Sequence, residues 1–312
     1  MKVKYRHTCI VTEDWKKLSG FYQNVFGCIP VDLEIDLKGE WFDKLTGLED
    51  AHAAGERLLL PGHDPYGPYL DIVSYDDMVV NEVNKINSQK GYAHLCFEVD
   101  DVEATYEALK AEGGSANGEV VTQYYPELDK TAHLVYAKDP DGNSVEILAW
   151  SDFKDRYPND SCVYRHTNIN AVDWQKIVDF YSVVFGCSPV FPTRDIKGQW
   201  FADVTGVKDA ALKGQHTELP GFAKPPTFEI FTYENAYQDK AKAINETGVA
   251  HVCFEVDDVQ LMLAKALAAG GSPVGETIKE TFEDDGRSIE MVYFKDPEEN
   301  IIGLLNITSG GN

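Results

Sequence analysis

The chain predicts an α+β fold of four βαβββ modules paired into two domains, and three observations carry that prediction. The first is duplication. Tyr5-Arg6-His7-Thr8 returns as Tyr164-Arg165-His166-Thr167, and Val25-Phe26-Gly27-Cys28 returns as Val184-Phe185-Gly186-Cys187. Gly91-Tyr92-Ala93-His94-Leu95-Cys96-Phe97 likewise returns as Gly248-Val249-Ala250-His251-Val252-Cys253-Phe254. A repeat of this length sets the domain count before anything else is read. The second is a fainter repeat inside each half: a histidine-bearing strand, a helix, then three strands. The third is periodicity, because short alternating runs follow helical runs four times, and helices on one face of such strands define the α+β class.

In chain order, residues 6–11 read as a strand. Asp14 is an N-cap, Trp15, Leu18, Tyr22 and Val25 make one helical face, and Gly27 suits the C-terminal cap. Short strands are expected at 31–37, 41–45 and 58–60, and a stronger one at 69–75. The polar stretch 76–90 reads as a connection holding a helical turn. Gly91 opens the second module, Asp100 with Glu103 resembles a capping box, and the helix runs to about Ala111 before Gly113-Gly114. Strands near 120–124, 131–137 and 145–150 complete the half. The charged run 151–160 is the linker, so the domains are 1–150 and 161–312. The second half repeats the order.

At 312 residues the chain can bury two cores without staples. With 28 basic against 52 acidic residues, a net charge of −24 repels nucleic acid and anionic membrane. The N-terminus enters a strand without a signal segment, and no run approaches the ~18 apolar residues of a membrane span. Six cysteines without a C-x-x-C pair fit a reduced, cytoplasmic protein. No phosphate-binding glycine loop and no nucleophile elbow are present.

Strand parity then selects candidates for chemistry, since residues i and i+2 share a face. His94, Cys96 and Glu98 face away from the core residues Leu95, Phe97 and Val99. Asp71 and Glu146 stand on the last strands of the first two modules, and His7 on the opening strand. If those two modules pair face to face, His7, Asp71, His94 and Glu146 converge in one cup. Two imidazoles and two carboxylates suit a divalent ion, Zn, Ni, Co, Mn or Fe(II), with positions left for substrate. In the second half His166, Glu229 and His251 hold the equivalent places, but Gly303 stands where Glu146 stood, so that site is incomplete. His52, His63 and His216 lie in polar or glycine-rich stretches and read as solvated.

His7 with Phe21-Tyr22 and Phe26-Gly27, Asp71, His94 with Phe97-Glu98-Val99-Asp100-Asp101, and Asp139-Pro140-Asp141-Gly142-Asn143 before Glu146 together resemble the vicinal oxygen chelate superfamily. That superfamily includes glyoxalase I, methylmalonyl-CoA epimerase, extradiol dioxygenases, and bleomycin or fosfomycin resistance proteins. The resemblance covers nearly the whole chain. It implies two domains of paired modules, each a curved, half-barrel mixed sheet with helices outside. It also implies a metalloenzyme of the glyoxalase or epimerase kind, a lyase or isomerase. The ion would stabilise an enediolate of a small carbonyl substrate with adjacent oxygens, and Glu146 would move the proton. Two alternatives accompany it: an Fe(II) extradiol dioxygenase on His7, His94 and Glu146, and a resistance-type protein that binds a metabolite or drug without chemistry. The dioxygenase pattern Tyr136, Asp139-Pro140, Gly142, Glu146 is present, but His133 lies closer to Tyr136 than the dioxygenases' histidine does. Either a monomer or a homodimer fits.

Overall fold

A computed structural model describes residues 2–80, 86–223, 225–236, 242–282 and 286–308. The first module comprises β1 (Val3–Val11), α1 (Trp15–Phe26), β2 (Ile29–Lys38), α2 (Glu40–Thr46), β3 (His52–Leu59) and β4 (Tyr69–Tyr75). The second comprises β5 (Gly91–Val99), α3 (Val102–Ala111), β6 (Ser115–Ala116), β7 (Val121–Tyr125), β8 (Lys130–Lys138) and β9 (Ser144–Trp150). A short helix, α4 (Phe153–Arg156), lies in the linker. The third module is β10 (Cys162–Asn170), α5 (Trp174–Phe185), β11 (Ser188–Lys197), α6 (Gln199–Thr205), β12 (Ala211–Glu218) and β13 (Thr227–Tyr233). The fourth is β14 (Gly248–Val256), α7 (Val259–Ala268), β15 (Ser272–Pro273), β16 (Ile278–Thr281), β17 (Ser288–Lys295) and β18 (Ile301–Thr308).

Local chemistry explains most boundaries. The Asp14 side chain accepts from Lys17 N, and Gly27 closes α1 at φ 71° in the left-handed region that glycine tolerates. The cap of α3 is Asp101, which accepts from Ala104 N at 2.9 Å, so the capping residue is one later than Asp100. The stretch expected as a strand at 41–45 is the helix α2. Its buried residues Phe42, Leu45 and Thr46 follow helical spacing, and Gly47 ends it at φ 72°. The helical turn expected within 76–90 falls partly on 81–85, outside the described residues.

Each module folds as a strand parallel to the last strand of a three-stranded meander: β1 lies beside β4, β5 beside β9, β10 beside β13 and β14 beside β18. Two nine-stranded mixed sheets result, with orders β15-β17-β18-β14-β1-β4-β3-β2 and β11-β12-β13-β10-β5-β9-β8-β6, the ninth strands β16 and β7 pairing with β17 and β8 off these paths. The joints are antiparallel, β1 with β14 and β10 with β5. Module one therefore pairs with module four, and module two with module three. The halves 1–150 and 161–312 are units of sequence, whereas each sheet takes one module from each half. Two connectors make this possible, and they meet where Val79 N donates to Asn245 O at 3.0 Å and Thr247 N to Val79 O at 3.0 Å.

The core lies between the convex faces. Phe26 at the end of α1 stacks on Phe97 of β5, and Phe185 of α5 stacks on Phe254 of β14, each with ring centroids 4.0 Å apart. Each of these helices lies against its own sheet, α1 on β3 and β4 and α5 on β12 and β13, and reaches the facing sheet through that phenylalanine. Where the sheets meet, Thr8 and Thr167 share a hydrogen bond of 2.8 Å. The opposite, concave faces form two cups, rimmed by α2 and α6.

Candidate metal centre

Parity places the site as the sequence requires: on β5, Leu95, Phe97 and Val99 join the central core, while His94 and Cys96 face a cup. The antiparallel joint of β5 with β10 sets His94 near His166. The parallel neighbours β9 and β13 then bring in Glu146, opposite Cys96, and Glu229, opposite Asn168. Among the described residues these four form a cluster whose ligand atoms all lie within 4.8 Å of one another. All four are buried, none more than 7% exposed.

His7 and Asp71 are not part of this cluster. They lie in the other cup with His251, because β1 pairs with β14 and not with β5. The expected quartet of His7, Asp71, His94 and Glu146 is therefore split between the two sheets. The incomplete trio of His166, Glu229 and His251 is split too. In the second cup, two residues from each expected set combine into one complete set.

The distances show what this set can hold. His94 Nε2 and His166 Nε2 are 3.2 Å apart. Glu229 Oε2 lies 3.2 Å from His94 Nε2 and 3.4 Å from His166 Nε2, and Glu146 Oε2 lies 3.5 and 3.2 Å from the same atoms. Ligand atoms bonded to one ion at ~2.0–2.2 Å fall into this range of mutual separations. Glu146 Oε2 is buried yet receives no well-aligned hydrogen bond, so the groups aim at a common point more than at each other. A pair of imidazole nitrogens, a pair of carboxylates and an orphaned oxygen fit a divalent ion.

Electrostatics agree. Burial would raise Glu146, but His166 and His94 outweigh it and bring the carboxyl down to about 2. Burial opposes charge on His166 as well, yet Glu229 and Glu146 push it up to about 9. Without an ion, the two carboxylates must borrow protons on the imidazoles for compensation. A divalent cation would replace that borrowed charge.

The two carboxylates are held differently. Asn168 Nδ2 donates to Glu229 Oε2 at 3.1 Å, and His216 Nε2 lies 3.3 Å from Glu229 Oε1. At the matching places beside Glu146 stand Cys96 and, across the strand pair, Tyr136. His216 had read as solvated; it is buried deep enough that burial lowers its pKa, and it lines the cup. Its place opposite Glu229 in the β12–β13 ladder was the signal, since the first half carries Arg57 opposite Asp71 in the same register. His63 is half-buried, with Nε2 3.0 Å from Tyr164 O, and His52 bridges Asp36 and Asp76 at 2.9 Å each. His133 bonds Thr122 and Glu103 on the opposite side of β8 from the cup-lining Ala132, Leu134 and Tyr136.

The cup above the cluster encloses about 200 Å³. Its wall is aromatic and aliphatic (Tyr125, Leu134, Leu148, Trp150, Trp200, Phe231), and Arg165 and Arg194 also line it. The segment 122–130 supplies Tyr125 to the cup, whereas 61–68 packs near Val163 and Tyr164.

The profile of the Glyoxalase/Bleomycin resistance protein/Dioxygenase superfamily matches residues 4–147 and 164–304. A lactoylglutathione lyase of Schizosaccharomyces pombe is 22% identical over 312 residues, which span 97% of this chain and 96% of that protein. The crystal structure of glyoxalase I from Zea mays superposes with a TM-score of 0.61 at 16% identity, covering 98% of this chain and 92% of that one. A putative dioxygenase from Bacillus subtilis superposes with a TM-score of 0.55 at 13% identity, covering 98% and 86%. Both likenesses concern the fold.

Proposed function

The chain belongs to the Glyoxalase/Bleomycin resistance protein/Dioxygenase superfamily, and we propose that it is a metal-dependent lyase of the glyoxalase I kind. Its substrate would be a hemithioacetal, formed from a 2-oxoaldehyde and a thiol such as glutathione. The observation that carries this reading is the convergence of His94, Glu146, His166 and Glu229 on one buried point beneath an apolar cup. A divalent ion on those four residues would supply Lewis acidity to two neighbouring substrate oxygens.

The chain's own groups account for the rest. Glu229, fastened by Asn168 and His216, is the fixed ligand. Glu146 has only the Cys96 thiol in that role and is free to turn toward substrate, take the proton from the carbon that bears sulfur and return it to the neighbouring carbonyl carbon. The atoms balance within the substrate, so no oxidant is needed. A positioned base of this kind contributes typically ~10²–10⁴-fold. The wall of Trp150, Trp200 and Phe231 excludes water while the proton is in transit. His133, the histidine nearest the dioxygenase-like pattern, bonds Thr122 and Glu103 and faces away from the cup. No described helix is long and apolar enough to cross a membrane, and all six cysteines are unpaired, which suits a reducing cytoplasm.

The test is turnover of the methylglyoxal–glutathione hemithioacetal to its thioester by metal-loaded protein. Activity that disappears with a chelator and returns with a divalent ion is the expected result. Inactivity toward hemithioacetals in fully loaded protein would end this reading.

A further inference from the structure

The other cup keeps the shape of the metal-holding one and has lost its chemistry. Gly303 occupies the place of Glu146 and offers no side chain to a metal, and a Cβ there would sit 3.2 Å from both Cys253 Sγ and the Tyr293 ring, which would have to give by a few tenths of an ångström. Arg57 occupies the place of His216. Its Nε and Nη2 donate to Asp71 Oδ1 and Oδ2 at 2.7 and 2.6 Å, which takes both carboxylate oxygens. Burial keeps the two imidazoles neutral, His7 well below its ordinary value and His251 at about 4.

What remains is a floor of Arg6, Arg57 and two neutral histidines, with Arg287 as a third arginine of the lining, around a cavity of about 160 Å³. Arg6 and Arg57 both lie over the Tyr69 ring, 5.8 and 5.5 Å from its centroid. Arg57 and Asp71 both line the cavity, with the Arg57 side chain 18% exposed against 8% for Asp71. Its Nη1 is not engaged by Asp71. Arg6 bonds Glu255 through Nη1 at 2.7 Å, and its buried Nε has no hydrogen-bond partner. The walls are Leu37, Trp41, Val73, Met291, Leu305 and Ile307, and Glu34 stands at the exposed rim. Where the metal-holding cup has Arg194, this one has Ile35, each paired to the glycine of the next strand.

We propose that this cup is a second, metal-independent binding site for a small monocarboxylate with an apolar, single-ring body. A carboxylate is acceptor-only and planar, and its two oxygens match the edge of a guanidinium. The cavity has the volume that accommodates one benzene-sized group, for which about 150 Å³ suffices. Convergent polar groups under apolar walls are the usual make-up of a ligand pocket.

The probe is 4-fluorophenylacetate, followed by fluorine NMR on full-length, metal-stripped protein, so that no ion in the other cup competes for the carboxylate. Saturable binding is expected. Leu305→Trp, which fills this cup, should abolish it, and Leu148→Trp, the matched change in the metal-holding cup, should leave Kd within about twofold. The neutral 4-fluorophenylacetamide should bind at least tenfold more weakly. In wild-type protein, methyl resonances of Ile35, Leu37 and Ile307 should shift on titration while those of Leu148 and Ile196 stay still, a readout that needs no variant. No saturable binding, loss of binding in Leu148→Trp only, equal affinity for the amide, or shifts confined to Leu148 and Ile196 would each overturn the proposal.

Discussion

Two carboxylates face the same pair of imidazoles, and their neighbours divide the work between them. Glu229 is held by Asn168 at 3.1 Å and His216 at 3.3 Å, so its oxygen stays put when an ion binds or leaves. Glu146→Gln should therefore keep the ion and lower kcat by ~10²–10⁴-fold, the range for loss of a general base. His216→Phe should instead lower metal affinity by ~10–100-fold, as removal of an outer partner of a ligand does. Kinetics and metal titration on the two variants separate these roles; equal effects on both quantities would erase the distinction. His166 supplies a pH dependence. Its value in the metal-free fold, about 9, lies above the ordinary 6.5. A raised imidazole stabilises fully below its unfolded value and loses that contribution as pH rises through the folded one. Chelated protein should lose thermal stability between about pH 6.5 and 9, and metal-loaded protein should not, a difference that melting curves at stepped pH will show.

At the scale of elements, caps and parity were legible while partners were not. Asp14, Gly27 and the alternation of β5 are local, and each follows from the chemistry of one or two side chains. The helix at α2 was misread because Trp41, Phe42 and Leu45 are too few to separate a period of two from one of 3.6. The choice of sheet partner is harder for a physical reason. The β5 and β14 sequences, with His94-Leu95-Cys96-Phe97 against His251-Val252-Cys253-Phe254, present nearly identical edges to β1. Their alternation alone does not say which of them β1 joins. Arg57 was passed over for the same reason, since its meaning depends on lying opposite Asp71 in the β3–β4 ladder. That pair is itself testable. Burial would raise Asp71, but Arg57 holds it well below the carboxylate range, so its stabilisation is present above its unfolded value and fades as pH falls. Arg57→Met leaves a buried carboxylate without its partner and should cost about 3–5 kcal/mol in denaturant unfolding. Arg57→Met with Asp71→Asn should recover much of that loss.

For the whole molecule, the crosswise pairing of modules determines how many ions one chain can hold. Had each duplicated half closed on itself, His7 and Asp71 would have met His94 and Glu146, and each half would have offered a site of its own. With module two on module three, all four competent donors gather in one cup. The other is left with two neutral imidazoles, an aspartate bound to Arg57, and Gly303. One divalent ion per chain is therefore expected from metal analysis of dialysed protein. Alanine at His94 or His166 should empty the site, since each removal leaves two carboxylates facing a single imidazole. Alanine at His7 or His251 should leave metal content unchanged, because those rings belong to the cup whose aspartate is already taken. Two ions per chain, or loss of metal on changing His7, would mean that the sheets are joined in some other way.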